Sequence, residues 1–211
     1  FTQEFQLLFE GERIQGVAGL YYLDARASGA FDTVVGALGA TTLTSGTVKT
    51  KSYAAFADFS FDVTEQLKLS AGLRYTKDDK TGTVFRRNYL GLRSPLFGNA
   101  TAIPLLIRTD YTNDRSFEKL TPRVSISYQP NDNANIYASY GKGFKSGGFD
   151  MRGDAVFTPT TVNGYEPETI DSFEVGFKGA FLDRTLFTNV ALFKSKYKNQ
   201  QVTVQVPSLA G

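Results

Sequence analysis

Hydrophobic and polar residues alternate along four stretches of the chain. The clearest stretch, LKLSAGLRYT, begins at Leu67 and carries an apolar or aromatic residue at every second position. A β-strand points successive side chains to opposite faces, so this period of two predicts strands with one apolar and one polar face. The four stretches are 53–61, 67–76, 120–128 and 172–181.

Four further segments have strand-like composition with a less regular alternation. They are 1–9, 13–26, 135–144 and 186–205. The eight segments together predict an all-β chain, and the well-patterned strands have about nine to eleven residues, the length that crosses a bilayer when tilted.

Short and long connections alternate strictly between these strands. This order predicts an antiparallel up-and-down sheet with tight turns at one end and large loops at the other, the asymmetry of transmembrane β-barrels. Within the first long connection, the stretch Gly36–Gly46 is predicted to be a flexible loop. The short connections are Glu10–Glu12, Asp62–Gln66, Gln129–Asn133 and Leu182–Thr185, and the long ones are Ala27–Thr47, Lys77–Ser116 and Lys145–Thr169.

Aromatic residues cluster at the ends of the predicted strands. Tyr53 and Tyr75 lie at the ends away from the short connections, and aliphatic residues lie between the two sets. Two aromatic rims around an aliphatic band match the two interfaces of a bilayer. The aromatic residues that flank the short connections are Phe9, Phe61, Tyr128, Tyr137, Phe181 and Phe187.

The composition excludes several kinds of catalytic and binding chemistry. The 211 residues contain neither cysteine nor histidine, which excludes disulfides and the usual histidine-based catalytic groups. Basic and acidic residues interleave, 23 against 21, so no nucleic-acid partner is predicted. We therefore expect a protein that is not an enzyme and that carries no cofactor or metal.

The glycine-rich stretch YASYGKGFKSGGFD begins at Tyr137. It lacks the glycine that precedes lysine in a phosphate-binding loop, and no helical pattern follows it. The stretch is instead predicted to be a strand that exits into a surface loop.

Three segments resemble TonB-dependent outer-membrane receptors. NIYASYGKGFKSGGFD is similar to a strand-to-loop segment of that family, and LKLSAGLRYTKDD resembles the strand that precedes it. The stretch 165–202 resembles the next hairpin, with its E-P-E-T and E-x-G-x-K pattern. The order of the three segments also fits, and together they span well over half of the chain.

The resemblance implies a barrel of about 22 strands with a plug domain in its lumen. Such receptors lie in the bacterial outer membrane, in contact with its lipid, and import scarce large solutes with energy from the TonB complex. The implied cargo is a ferric siderophore or a similar metal chelate, with haem, cobalamin and glycans as other cargoes of the family.

Eight strands are about a third of such a barrel. We therefore expect residues 1–211 to be an internal segment of the barrel domain, from which the plug domain and the TonB box are absent. A sheet with two open edges would not persist alone in a membrane.

Two sets of candidate site residues follow from the resemblance. Aromatic and basic residues in the long connections would suit an anionic or aromatic chelate; these ligand-facing candidates are Arg86, Arg87, Tyr89, Arg93, Lys145, Phe149 and Arg152. Charged residues on the polar face would meet the plug or pair between neighbouring strands; these lumen-facing candidates are Arg74, Arg123, Glu174 and Lys178.

Two other architectures fit the alternation. A complete eight-stranded outer-membrane barrel, serving as an adhesin, an anchor or a small pore, would pair its first and last strands. A soluble β-rich binding module would turn the apolar face into a core instead of into lipid.

Overall fold

The computed structural model describes residues 1–203, and they form a single antiparallel sheet of eight strands. The strands follow one another in chain order from β1 to β8, so every neighbour in the sheet is also a neighbour in sequence. The strands are β1 (Thr2–Glu10), β2 (Ile14–Val35), β3 (Ala40–Asp62), β4 (Leu67–Leu90), β5 (Ile103–Asn131), β6 (Ala134–Lys145), β7 (Glu168–Phe181) and β8 (Leu186–Lys198).

Helical structure in the described part of the chain is limited to three short 3₁₀ segments. They are Gly36–Leu38, Pro95–Phe97 and Pro159–Asn163. Within residues 1–203, no helix has the length and apolar character needed to cross a membrane.

The connections confirm the predicted up-and-down order. Four tight turns lie at one end of the sheet, which we call the tight-turn end, and the three other connections lie at the long-connection end. The sheet of residues 1–203 has β1 and β8 at its two edges, so these strands do not pair with each other as a closed eight-stranded barrel would require.

Two of the three predicted long loops are wrong. Strands β2 and β3 extend the first hairpin to Val35 and Ala40, and β4 and β5 extend the second to Leu90 and Ile103. The predicted flexible loop Gly36–Gly46 is likewise wrong from Ala40 onward, because that part pairs with both β2 and β4. These extensions carry polar residues on both faces. The alternation of apolar and polar residues that marks the same strands near the tight-turn end is therefore missing there.

The register places the two predicted sets of side chains on opposite faces. Leu69 pairs with Ile126 on one face, and Arg74 pairs with Thr121 on the other. We call the first the apolar face and the second the polar face, and keep these names along the whole strands. The large side chains of the apolar face are exposed, as in Leu73 at 48%.

The aromatic rims need one correction. Phe61 and Tyr128 lie on the apolar face at the tight-turn end, but Tyr137 and Phe187 lie on the polar face. The Tyr137 ring covers Gly176 on the neighbouring strand, where an added Cβ would come within 2.3 Å of it. The Tyr137 ring therefore packs against Gly176 on the polar face and is not part of the aromatic rim of the apolar face.

A small apolar core lies at the long-connection end of the apolar face. Leu43, Tyr89 and Ala102 are buried together, with Phe85 packed against them. The connection 91–102 lies beside this core, and the backbone N–H of Ser94 donates a hydrogen bond to Asp32 Oδ2 at 2.8 Å. This connection thus folds onto the apolar face.

Candidate functional site

The connection between β6 and β7 folds back over the polar face at the long-connection end. We call residues 146–167 the inner loop. An isolated β-bridge between Gly148 and Tyr165 holds its two ends together. Gly147 is needed there because an added Cβ would lie 2.3 Å from the Tyr165 carbonyl oxygen. The glycine pair that the sequence placed at a strand exit therefore brings the chain back across the sheet.

Phe149 anchors the inner loop to the sheet. Its ring is 6% exposed and rests on Gly82 of β4, where an added Cβ would come within 2.4 Å of the ring. Tyr111 of β5 packs beside it, with ring centroids 6.1 Å apart. Gly82 leaves a socket in the polar face that one aromatic ring fills.

A charge cluster forms the second anchor. Asp154 of the inner loop accepts hydrogen bonds from Arg108 Nε at 2.8 Å and from Arg108 Nη2, and its Oδ2 lies 3.3 Å from Arg86 Nη1. All three side chains are 17% exposed. Burial lowers the pKa of Arg86, and the Asp154 carboxylate opposes that shift. Two arginines thus share one carboxylate away from bulk water, where such a pair is costly to break.

Side chains of the polar face also bind the backbone carbonyls of the inner loop. Each donor comes from β4 or β5, and each acceptor is a main-chain oxygen. The bonds run from Lys80 to Gly147 (2.8 Å), Arg86 to Arg152 (2.7 Å), Thr109 to Gly153 (2.9 Å), Asn113 to Val162 (2.6 Å) and Arg115 to Asn163 (2.5 Å). They hold the main chain of the inner loop against the polar face of the sheet.

Burial under the inner loop shifts three titratable groups. It lowers the pKa of Lys80, against the opposing effect of Asp78, and it raises the pKa of Tyr111 and of Tyr165. The Tyr111 hydroxyl has no hydrogen-bond partner among the described residues. Both tyrosines therefore stay neutral and present a ring and a hydroxyl to their surroundings.

An open cleft of about 820 Å³ lies between the inner loop and the segment that follows β8. Lys145 and Arg152 on its border are exposed, and Tyr165 is 41% exposed. Gln201 closes one side by donating hydrogen bonds to the carbonyls of Ser146 and Glu166, each at 3.1 Å. The lining holds two cations, two carboxylates and an aromatic ring: Lys145, Arg152, Asp150, Glu166 and Tyr165. Arg152 pairs with Asp150 at 3.1 Å, and the exposed Lys145 with the Tyr165 ring offers one cation and one aromatic surface to an anionic, partly aromatic ligand.

Carboxylates are present at the cleft, but they are not arranged as a metal site. Among residues 1–203, no group of three or more histidine, cysteine, aspartate or glutamate side chains could hold a metal ion.

Residues 1–211 match the family described as TonB dependent receptor-like, beta-barrel, over their full length. The chain belongs to this family. The predicted resemblance is confirmed, as is the all-β antiparallel fold of a partial receptor barrel.

Curated relatives of the chain are TonB-dependent receptors. The chain is 27% identical over 153 residues to the probable TonB-dependent siderophore receptor PiuA of Acinetobacter baumannii, covering 72% of this chain and 18% of the relative. It is 31% identical over 117 residues to the metal-pseudopaline receptor CntO of Pseudomonas aeruginosa, covering 54% and 15%. The chain thus spans less than a fifth of the length of these relatives.

Solved receptor structures share the fold. The ferric yersiniabactin uptake receptor FyuA from Yersinia pestis superposes with a TM-score of 0.70 at 14% identity, covering 95% of this chain and 29% of the receptor. The siderophore receptor PiuA from Acinetobacter baumannii gives 0.57 at 17% identity, covering 91% and 31%. The chain covers about a third of each solved receptor, as expected for a part of a larger barrel.

Membership of the TonB-dependent receptor family fixes the orientation of the sheet. Barrels of this family lie in the outer membrane of Gram-negative bacteria, with short periplasmic turns and longer extracellular connections. Such barrels turn an apolar band outward and a polar surface inward, so the apolar face is the outward face of the sheet and the polar face lines the interior. The inner loop lies on the extracellular, lumen-facing side.

The structure brings four of the ligand-facing candidates together. Arg86 and Phe149 are inner-loop anchors, and Arg86 donates to the Arg152 carbonyl. Lys145 and Arg152 border the cleft with Phe149. Arg152 also pairs with Asp150 at 3.1 Å, and both side chains of this pair are exposed.

The three other ligand-facing candidates lie elsewhere. Arg87 and Tyr89 are in β4 on the apolar face, where Arg87 lies over the Tyr89 ring at 6.0 Å and Tyr89 is buried. Arg93 is exposed on the connection 91–102. The prediction that Arg86, Arg87 and Tyr89 lie in a loop is wrong, because β4 continues to Leu90.

The four lumen-facing candidates all lie on the polar face, and each has a partner within the sheet. Their contact with a plug domain stays a prediction. Arg74 lies over the rings of Tyr21 and Phe56, Arg123 pairs with Asp58 at 3.2 Å, Glu174 accepts from the Tyr137 hydroxyl at 2.7 Å, and Lys178 lies over the Tyr137 ring.

Sequence reasoning missed Arg108, Asp154 and the carbonyl-binding residues of β5. A weak period of two was available, because Thr109, Asn113 and Arg115 are separated by even numbers of residues and therefore share one face of a strand. The pairing of Arg108 with Asp154 left no such trace, because the inner loop brings together residues 46 positions apart.

Proposed function

We propose that this chain is part of the barrel of a receptor that imports a ferric siderophore or a similar metal chelate by TonB-dependent active transport. The cargo docks at the cleft beside the inner loop, passes a plug domain in the lumen, and moves inward when the TonB complex remodels that plug. The relatives named as siderophore and metal-pseudopaline receptors support this class of cargo.

The cleft is the observation that carries the proposal. It lies on the lumen side at the extracellular end, and two of its exposed side chains, Lys145 and Arg152, are cations. Ferric chelates with catecholate, hydroxamate or carboxylate arms present oxygen atoms that accept charge-assisted hydrogen bonds from such cations. The Tyr165 ring adds a surface for flat aromatic arms.

An eight-stranded barrel complete in itself is not favoured. It requires β1 to pair with β8, and in residues 1–203 both strands are sheet edges. The match of the whole chain to the receptor-barrel family also favours a part of a larger barrel.

The test uses the full-length receptor in a Gram-negative host without its own siderophore receptors. Uptake of labelled iron is measured from a panel of ferric siderophores, with and without a functional TonB complex. For the siderophore taken up, Lys145→Ala/Arg152→Ala should weaken equilibrium binding about a hundredfold or more, because about 1.5–3 kcal/mol is lost for each of the two charged hydrogen bonds.

Arg93→Ala is the matched control, since it removes an exposed cation of the same extracellular end outside the cleft. It should leave binding unchanged. Uptake that continues without TonB contradicts the transport mechanism. An Arg93→Ala loss equal to that of the double variant contradicts the docking site.

A further inference from the structure

Two glycines lie opposite each other on the polar face, in the β2–β3 hairpin. Gly29 of β2 pairs with Gly46 of β3, and the register places both on the same face as Val84 of β4. Two facing glycines leave a depression in the surface of a sheet, because neither strand has a side chain there. We call this depression the glycine groove.

The side chain of Met151, in the inner loop, occupies the glycine groove. An added Cβ at Gly46 would come within 3.1 Å of Met151 Cβ and 3.2 Å of its Cε. An added Cβ at Gly29 would lie 3.5 Å from the same Cε and 3.8 Å from the thioether sulfur, Sδ. The two glycines thus leave room for one long, flexible, apolar side chain, which methionine supplies.

Met151 connects the inner loop to a different hairpin from the other contacts. The Phe149 socket, the arginines that bind Asp154 and the five side chains that bind carbonyl oxygens all belong to β4 or β5. Met151 instead reaches β2 and β3. Its contact can therefore be lost while the contacts with β4 and β5 remain.

The thioether of Met151 lies at the wall of the cleft. Met151 lines the cleft together with Arg152, and its side chain is half-buried, whereas Phe149 is 6% exposed. The chain has one methionine and no cysteine, so Met151 holds the only sulfur atom among its 211 residues. A small oxidant that enters the cleft from the extracellular side therefore meets one oxidisable side chain of this chain there.

We propose that Met151 is an oxidation site and that its sulfoxide releases the inner loop from the glycine groove. The sulfur attacks one oxygen of hydrogen peroxide, so that an S–O bond forms and the O–O bond breaks. The proton on the transferred oxygen moves to the leaving hydroxide, which gives water. The sulfur loses two electrons and the peroxide gains them. The product is a polar, chiral side chain in place of a flexible apolar one.

The sulfoxide does not suit the glycine groove. Val48 and Val84 flank the groove on the polar face, and the hydroxyl of Thr44, beside it, already accepts a hydrogen bond from Arg86 Nε at 3.2 Å. A polar S=O group buried among these side chains loses its hydrogen bonds to water. The oxidised side chain therefore turns into the cleft, and the inner loop keeps only its contacts with β4 and β5.

The test treats the full-length receptor in detergent with hydrogen peroxide and measures hydrogen exchange by mass spectrometry. Peptide mapping should locate one added oxygen on Met151. After oxidation, exchange of residues 149–153 should be about fivefold faster or more, while residues 67–75 keep the exchange of the untreated receptor. Treatment with the two methionine sulfoxide reductases, one for each epimer, should restore slow exchange.

Two variants separate oxidation from a general loss of structure. Met151→Leu keeps a similar apolar volume without the sulfur, so its loop should exchange as in the wild type and should not respond to peroxide. Met151→Gln places a polar side chain of similar length in the groove and should exchange as fast as the oxidised wild type, without any peroxide. Heat-modifiable migration on a gel confirms that both variant barrels are folded.

Three outcomes would overturn the proposal. The first is a Met151 that stays unoxidised in the folded receptor under conditions that oxidise it in the denatured one. The second is unchanged loop exchange after complete oxidation, and the third is an equal acceleration by peroxide in Met151→Leu. None of these readouts involves the imported cargo, so they remain decisive even if the cleft is not its docking site.

Discussion

The β4–β5 hairpin has two halves that differ in how they are covered: the membrane half runs from the tight-turn end to the Tyr75–Leu120 pair, and the extracellular half lies beyond that pair. In the membrane half, the large side chains of the apolar face point outward, and Leu73 and Val124 are 48% and 49% exposed. In the extracellular half both faces are covered: Val84 and Phe117 on the polar face are almost fully buried under the inner loop, and Tyr89 on the apolar face is buried beside the connection 91–102. The two strands are continuous through both halves.

The difference shows that one strand can depend on two different partners. The membrane half leaves its apolar side chains on the outward surface of the sheet, whereas the extracellular half is covered by the inner loop and the connection 91–102. Substitutions on the same strand are therefore expected to act through membrane insertion between the tight-turn end and Tyr75, and through loop packing beyond Tyr75.

Phe149→Ala should have the largest effect on the extracellular half. It empties the socket over Gly82, and removing a buried phenylalanine costs about 3–5 kcal/mol. Faster hydrogen exchange and protease cleavage within residues 146–167 are expected, with the membrane half unchanged. Leu96→Ala, an exposed residue of the connection 91–102, is the control. Unchanged loop protection in Phe149→Ala would refute the anchor.

Ala71→Lys tests the membrane half. Its side chain lies on the apolar face between Leu69 and Leu73, and a lysine near the middle of the bilayer costs about 2–4 kcal/mol. The free energy of unfolding, measured by urea titration in lipid vesicles, should fall by that amount. Thr83→Lys, on the same face but beyond Tyr75, should leave the free energy of unfolding unchanged. Equal losses would mean that the two halves share one environment.

Asp154→Asn should loosen the inner loop without emptying the socket. Arg86 and Arg108 would keep their charges while losing the shared carboxylate, at a cost of about 2–3 kcal/mol. Hydrogen exchange of residues 150–158 measures the change. Asp150→Asn is the matched control, since its pair with Arg152 is exposed. A larger effect from Asp150→Asn would argue against the charge cluster.

Glu166→Gln should have the smallest effect. Its pair with Arg115, at 2.6 Å, involves a glutamate that is 62% exposed, so about 0.5 kcal/mol is expected. Because salt screens exposed pairs, the difference in loop exchange between wild type and variant should disappear at high salt. A difference that persists there would mean that the pair is shielded from solvent.

The sequence predicted the membrane half well. Period-two alternation located the lower parts of β3, β4, β5 and β7, and the tight turns were placed within a few residues. The reason is that lipid on one side and the barrel interior on the other impose different residue types on alternate positions.

The extracellular half was harder to predict. Thr41, Thr42, Thr44 and Thr47 of β3 point to both faces, so no contrast marks the strand. Three of the predicted ligand-facing residues, Lys145, Phe149 and Arg152, do line the cleft; that they bind a ligand stays a prediction. Asp154 and its arginines could not be found, because only the folded loop makes them neighbours.

The inner loop is held to the barrel mainly through its own main chain. Lys80, Arg86, Thr109, Asn113 and Arg115 all bind carbonyl oxygens of the loop, and a carbonyl survives any side-chain replacement. Apart from Phe149, Met151, Asp154 and the glycines, residues of the loop can therefore be replaced without changing the position of the loop on the polar face. The side chains that the loop presents to the cleft can therefore vary while the backbone contacts that position the loop stay the same.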